Sequence, residues 1–189
     1  ALQKACQSLE IRRNGLGADG KTWTNQDSIL TSLQKPSWDR VFRIYDALKI
    51  GIPIKRIKQI TGIDDWFLRE IEQLILIENQ ISTFDIDSMS SELLLEAKMK
   101  GFADRQIAHL LGTLESKVFT LRQKYDIQRV YKLVDTCAAE FQAQTPYYYS
   151  TFERKIRYPN GKTYAENESV VTNNKKVIVL GSGPNRIGQ

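Results

Sequence analysis

The sequence has little of several things from which active sites are built. Two cysteines, Cys6 and Cys137, cannot form a disulfide framework, and a reducing, cytosol-like compartment is the default. One histidine, His109, cannot supply a Cys/His zinc site, and any histidine-based triad would rest on it alone. No apolar run approaches the roughly 18 residues of a membrane-spanning helix. The opening stretch, residues 1–13, is amphipathic and carries lysine and arginine, so it does not read as a secretory signal. What remains is ordinary globular composition, with 41% hydrophobic residues available for a core.

Positive charge is in modest excess, at +5 over the chain. Segment by segment, residues 1–37 carry +2, 38–86 carry −1, 87–135 carry +1 and 136–189 carry +3. The excess therefore lies at the two ends, and the middle is balanced. A duplex-binding domain concentrates basic groups on its folded body, because phosphate neutralisation supplies most of the affinity. This distribution counts against that class.

The middle of the chain reads as short amphipathic helices punctuated by glycine. Ser37 is suited to N-cap a helix running through Ile50, with Val41, Ile44, Tyr45 and Leu48 on one face and Gly51 as its stop. Ile54, Ile57 and Ile60 follow at threefold spacing, and Gly62 ends that piece. Asp64 then caps a longer helix carrying Trp66, Phe67, Ile71, Leu74, Ile75 and Glu78, whose run 74–77 is apolar nearly all round and predicts a central, buried helix.

The same layout recurs fifty residues later without a gap. Gly51 corresponds to Gly101, Ile57 to Ile107, Ile60 to Leu110, Gly62 to Gly112, Leu68 to Val118 and Ile71 to Leu121. With a preceding helix in each copy, the pattern predicts two three-helix units packed side by side. Each unit also has the outline of a helix-turn-helix. The second copy would offer Lys117, Thr120, Arg122, Gln123 and Lys124 to a DNA groove. The first copy opposes that alternative, since Asp64, Asp65, Glu70 and Glu72 would face phosphates with like charge.

After Tyr125 the texture changes. Residues 147–152 place four aromatics in six positions behind Pro146, which favours extended chain with alternate rings buried. Residues 154–176, with Pro159-Asn160-Gly161 and Asn173-Asn174, read as a polar, flexible linker. Lys175 through Leu180 then reads as a buried parallel strand entering Gly181-Ser182-Gly183-Pro184-Asn185-Arg186-Ile187-Gly188. The G-x-G-x4-G spacing departs from the dinucleotide fingerprint, and no Gly-Lys-Ser/Thr follows as in a phosphate loop. A lone strand and loop without a sheet suggest a piece of a longer polypeptide. The expected fold class is mainly α, a small bundle of duplicated three-helix units followed by an extended arm and a truncated strand with a glycine loop.

These residues together resemble the large chain of carbamoyl-phosphate synthase, a family with two ATP-grasp halves joined by a helical oligomerisation domain. Ala1-Leu2-Gln3-Lys4-Ala5 with Ser8-Leu9-Glu10 resembles the end of the first half, and Ile63-Asp64-Asp65-Trp66-Phe67-Leu68 the helical domain's signature. Lys100-Gly101-Phe102-Ala103-Asp104, residues 134–141 and Tyr149-Ser150-Thr151 fit as well, and residues 180–189 resemble the opening loop of the second half. Residues 12–35 and 154–174 are the least distinctive.

The resemblance implies a ligase that makes carbamoyl phosphate from bicarbonate, ammonia released from glutamine, and two ATP, feeding arginine and pyrimidine synthesis. It implies a partition into 1–22 (tail of the first half), 23–129 (oligomerisation domain), 130–153 (extended aromatic arm), 154–176 (linker) and 177–189 (start of the second half). Gly181, Gly183, Pro184, Asn185, Arg186 and Gly188 are the candidate nucleotide-loop residues. No catalytic residue and no metal ligand is expected in this segment, and no cofactor of its own. ATP, Mg²⁺ or Mn²⁺ and K⁺ are implied for the ATP-grasp halves. The implied partners are those halves, a glutaminase small subunit and other large chains, in the cytoplasm or an organelle matrix, with no nucleic acid and no membrane. Trp38, Trp66 and Phe67 are expected chiefly in the core, His109 on a helix surface or in satisfied packing, and Cys137 as a small buried hydrophobe.

Overall fold

The computed structural model describes residues 1–9, 11–138, 140–141 and 147–178. It divides into two compact units, Ala1–Ile127 and Gln128–Gln189. Eight helices are found among the described residues, together with two small antiparallel strand pairs, so the chain is mainly α.

The first unit contains all the helices: α1 (Leu2–Ser8), α2 (Gln26–Leu33), α3 (Arg40–Lys49), α4 (Ile54–Thr61), α5 (Asp65–Ile81), α6 (Ser91–Met99), α7 (Asp104–Leu110) and α8 (Glu115–Lys124). The fifty-residue offset is reproduced in backbone detail. After α3, Gly51 takes φ +86°, and the Ile52 amide donates to the Ala47 carbonyl at 2.9 Å. After α6, Gly101 takes φ +91°, and the Phe102 amide donates to the Ala97 carbonyl at 3.0 Å. Both are Schellman closures, which satisfy the last helical carbonyls and need a left-handed residue at the turn. Ile52 and Phe102, buried after those glycines, fold the chain back into each unit.

The helix starts follow capping chemistry in part. Asp64 accepts the Trp66 amide at 2.9 Å and Ser90 accepts the Leu93 amide at 3.2 Å. Ser37 does not cap α3. Its hydroxyl donates to the Asp39 carboxylate at 2.7 Å, while the Ser37 carbonyl accepts the Arg40 amide in a turn, and the helix begins only at Arg40. Behind Pro36, this turn sets the helix start two residues late. The first helix is also shorter than the span 1–11 over which the sequence reads as helix, with Leu2, Leu9 and Ile11 as its apolar positions. It closes at Ser8, leaves Leu2 and Leu9 exposed, and buries Gln3 and Cys6 at i and i+3.

The core is aliphatic: Ile29, Leu33, Ile57, Leu68, Ile81, Leu94, Ile107 and Val118 are fully buried. Helix α3 packs on α2 and α5, and α7 on α8 and α5. Between α3 and α5 the buried Tyr45 hydroxyl donates to Glu78, which also pairs with Lys49 at 2.7 Å. Burial, and then the Glu78 charge, push the Tyr45 phenol far above its ordinary value, so it remains a donor. The second copy has its own buried ionic centre. Asp104 on α7 receives Arg122 of α8 in a fork at 2.8 and 2.9 Å and Lys98 of α6 at 2.7 Å. Burial acts to raise the Asp104 carboxyl, but these bonds and charges outweigh it and hold it below the ordinary carboxylate range.

In the second unit, β1 (Val130–Leu133) pairs antiparallel with β2 (Tyr148–Thr151), Val130 facing Thr151 and Leu133 facing Tyr148. Strand β3 (Ile156–Arg157) pairs with β4 (Thr163–Tyr164), and the Tyr158 and Tyr164 rings stack at 4.2 Å. The stretch expected as a linker therefore contains a hairpin turned at Pro159-Asn160-Gly161. Beyond it, the Glu168 amide donates to the Tyr131 carbonyl at 2.9 Å, and Lys132 pairs with Glu153, Glu166 and Glu168. Alternate burial of the aromatic strip does not occur: Tyr147, Tyr148 and Tyr149 are all exposed, and Phe152 alone of the four is buried.

Candidate functional site

The glycine loop singled out in the sequence (Gly181, Gly183, Pro184, Asn185, Arg186 and Gly188) lies outside the described residues, as does Pro146. Of the segment leading into it, Val177 and Ile178 are exposed. Among the described residues no group of three or more His, Cys, Asp or Glu side chains is placed to hold a metal ion. His109 is exposed on α7, with its ring beside Gly20. Cys137 is half-buried in a turn and not in the core. Cys6 is the buried cysteine, and burial raises its thiol above the ordinary value.

The aromatics are the main correction. Trp38 is 75% exposed, Trp66 61% and Phe67 58%, where a core position was expected. Trp66 and Phe67 meet edge to face at 4.9 Å on the first turn of α5. One turn of helix offers inward room to only part of its circumference, and Leu68 and Ile71 take it. Leu76 is likewise exposed, so the apolar run 74–77 is not buried all round.

The structure brings together a constellation that sequence reasoning missed, built from residues 11–23 and the start of α3. The loop is anchored from below. Gln3 accepts the Leu16 amide at 2.7 Å, and Gln106 donates to the Gly17 carbonyl at 2.8 Å. Gly17 has φ +79°, and a Cβ there would fall 2.0 Å from the Tyr45 ring, so no other residue lets the loop pass this close. Above this anchor, Arg13 pairs with Asp19 at 2.9 Å and donates to the Lys21 carbonyl at 2.8 Å.

Two guanidiniums then lie on two rings. Arg13 sits over Phe42 at 4.6 Å, and Arg43 over Trp23 at 3.1 Å. Arg43 also pairs with Asp39 at 3.2 Å and Asp46 at 3.1 Å. A hydrogen bond from Ser37, helped by Arg43, holds the Asp39 carboxyl below its ordinary value against a smaller effect of burial. Burial pushes the Asp46 carboxyl up in spite of the Trp23 amide and Arg43. Arg13, Trp23, Asp39, Phe42 and Arg43 border a cavity of about 300 Å³, which Lys21 and Trp38 also line.

That volume sits at the lower edge of the roughly 300–1,000 Å³ of small-molecule sites. Arg13 and Arg43 are paired with carboxylates, the Lys21 ammonium bonds the Arg12 carbonyl at 2.6 Å, and no nucleophile stands beside a base. The arrangement is suited to recognition, not to bond making. In the sequence its signal was the glycine run Gly15, Gly17 and Gly20 among Arg12, Arg13 and Lys21, within the stretch that looked least distinctive.

Comparison with known proteins gives a consistent picture. The family described as "Carbamoyl-phosphate synthetase large chain, oligomerisation domain" matches residues 1–126, which is the helical unit almost to its last residue. Over its whole length the chain is 44% identical to the carbamoyl phosphate synthase large chain of Archaeoglobus fulgidus, 41% to that of Rhodopirellula baltica and 41% to that of Thermotoga neapolitana. It spans 17%, 17% and 15% of those proteins, about a sixth of their length.

Proposed function

Because the chain belongs to the family of the carbamoyl-phosphate synthetase large-chain oligomerisation domain, we propose that it acts as a helical association and spacing module within a carbamoyl-phosphate-forming ligase. The observation that carries this is the coincidence of the matched region, residues 1–126, with one compact helical unit that leaves Trp38, Trp66 and Phe67 outside its core. Large exposed aromatics on an otherwise well-packed bundle are typical of surfaces that meet a partner.

In the intact ligase, two ATP-grasp halves would consume bicarbonate, ammonia from glutamine and two ATP, with Mg²⁺ or Mn²⁺ and K⁺, beside a glutaminase small subunit in the cytoplasm. The chain itself would supply no reacting group. Phosphoryl transfer needs carboxylates, metal and basic residues preorganised around the nucleotide, and the buried carboxylates of this bundle are already engaged by Arg122, Lys98, Arg43 and Lys49. A helix-turn-helix role has no support. Arg122, the central cation of the would-be recognition helix, is buried against Asp104.

Sedimentation velocity of the chain across about 1–100 µM tests the association reading. A weight-average mass rising above the 21.7 kDa monomer is expected; a monomer at every concentration sinks it. A bicarbonate-dependent ATPase assay on the same material tests the second half, and turnover would overturn it.

A further inference from the structure

We propose that Asn14 is a site of spontaneous deamidation, the Gly15 backbone nitrogen closing a succinimide on the Asn14 side chain, while Asn160 in the same dipeptide is protected by its turn. The chain contains Asn-Gly twice, at 14–15 and at 160–161. Glycine in the second place favours the reaction, because no side chain shields the attacking nitrogen and the backbone turns freely into the reacting geometry. By sequence the two sites are equals. In the fold they differ.

At 160–161 both reacting groups are engaged. The Gly161 amide donates to the Tyr158 carbonyl at 2.9 Å, and the Asn160 side-chain oxygen accepts the Lys162 amide at 3.0 Å. Ring closure has to break both bonds, because the Gly161 nitrogen must give up its proton and the Asn160 carboxamide must swing away from Lys162. At 14–15 neither reacting group has a hydrogen-bond partner among the described residues. The Asn14 side chain is half-buried, so solvent reaches it, and it is this side chain that moves onto the Gly15 nitrogen.

The atoms balance with water as the only co-reactant. The Gly15 nitrogen loses its proton and attacks Asn14 Cγ, the carbon–nitrogen bond of the carboxamide breaks, and the amino group leaves as ammonia with the proton given up by the backbone. Water then opens the ring at either carbonyl, leaving aspartate or isoaspartate. Both add a negative charge next to Arg13, and isoaspartate lengthens the main chain by a methylene. The loop has no slack to absorb this. A Cβ on Gly15 would already fall 2.3 Å from the Gln3 side-chain oxygen and 2.7 Å from the Gln106 side-chain amide. Those same two side chains hold Leu16 and Gly17, so the change works loose the tie between the first helix, the loop and α7.

The test uses the whole unmodified chain, aged in mildly alkaline buffer, with a parallel sample aged in urea. Trypsin releases peptides 14–21 and 158–162 separately, so the amide-to-acid mass gain is read at each site. In the folded chain Asn14 is expected to convert about tenfold or more faster than Asn160, the effect of two hydrogen bonds at the slower site. In urea the two rates are expected to converge. Equal folded rates, or an Asn14 that stays intact, overturn the proposal. So does a preference for Asn14 of the same size in urea, which would come from neighbouring residues and not from the fold. The more acidic fraction, separated by ion exchange, is expected to unfold at a lower urea midpoint than the fresh chain; an unchanged midpoint overturns the loosening of the loop.

Discussion

The Gln106 side-chain amide donates to the Gln3 side-chain oxygen at 3.3 Å across a sequence separation of 103, and both residues are almost completely buried. The same Gln106 accepts the Ala103 amide at 2.9 Å and reaches the Gly17 carbonyl at 2.8 Å. One side chain thereby ties the first helix, the glycine loop and the start of α7. Gln3→Ala should leave the Leu16 amide without its acceptor, and a buried orphan of this kind costs about 1–3 kcal/mol. Urea unfolding of the variant measures it; an unchanged midpoint would show that water replaces the side chain.

Glycine positions separate strain from crowding. Gly51→Ala keeps a left-handed backbone with nothing within 4 Å of the new methyl, so a loss of about 1–2 kcal/mol is expected. Gly17→Ala adds the same strain to a collision with Tyr45 and should cost about 3 kcal/mol or more. Thermal unfolding of the pair gives the comparison, and equal shifts in Tm would contradict the packing described.

Acid should unfold the bundle partly through Asp104. Its folded-state carboxyl lies below the unfolded value, so its contribution is complete above the unfolded pKa and is lost as pH falls through the folded one. Asp46 has the opposite sign: raised by burial, it disfavours the folded state at neutral pH and relaxes on protonation. Asp104→Asn should lose about 3 kcal/mol or more at neutral pH by stranding Arg122 and Lys98. Its stability should also fall less between about pH 5 and 3 than that of the wild type. Urea midpoints at several pH values read both effects, and a parallel fall in the two proteins would exclude Asp104 as a source.

Exposure makes a different claim about the aromatic pair on α5. Replacing Trp66 and Phe67 together by serine should change stability by less than about 1 kcal/mol, the scale of a surface aromatic contact. A core location would cost about 3–5 kcal/mol for either one. Equilibrium unfolding distinguishes the two without ambiguity.

Arg122→Ala offers a check on the discarded alternative. The substitution should lower the unfolding midpoint, because it opens the Asp104 centre. Gel-shift titrations with duplex DNA at two salt concentrations should show no salt-steep binding for Arg122→Ala to abolish.

Much of the helical unit was legible because its signals are local. Glycine at a helix end, aspartate or serine at a helix start and apolar spacing of three and four each act within a few residues, and a second copy fifty residues on repeated them. The boundaries at Ser37 and at the first helix were misread because a turn behind Pro36 and a buried glutamine override local preference. The hairpin at 156–164 was taken for linker since its strands are two residues long and carry little periodicity.

By itself, the amino-acid order determined the helix count of the repeat, the left-handed closures at Gly51 and Gly101 and the family kinship, because these depend on neighbours along the chain. Only the tertiary structure decided which aromatics stay outside, that Arg122 turns inward to Asp104, and that Arg13, Trp23, Phe42 and Arg43 converge on one cavity. The physical reason is distance in sequence. A helix face is apolar or polar by composition, but what covers it depends on elements tens of residues away, and no local pattern encodes that choice.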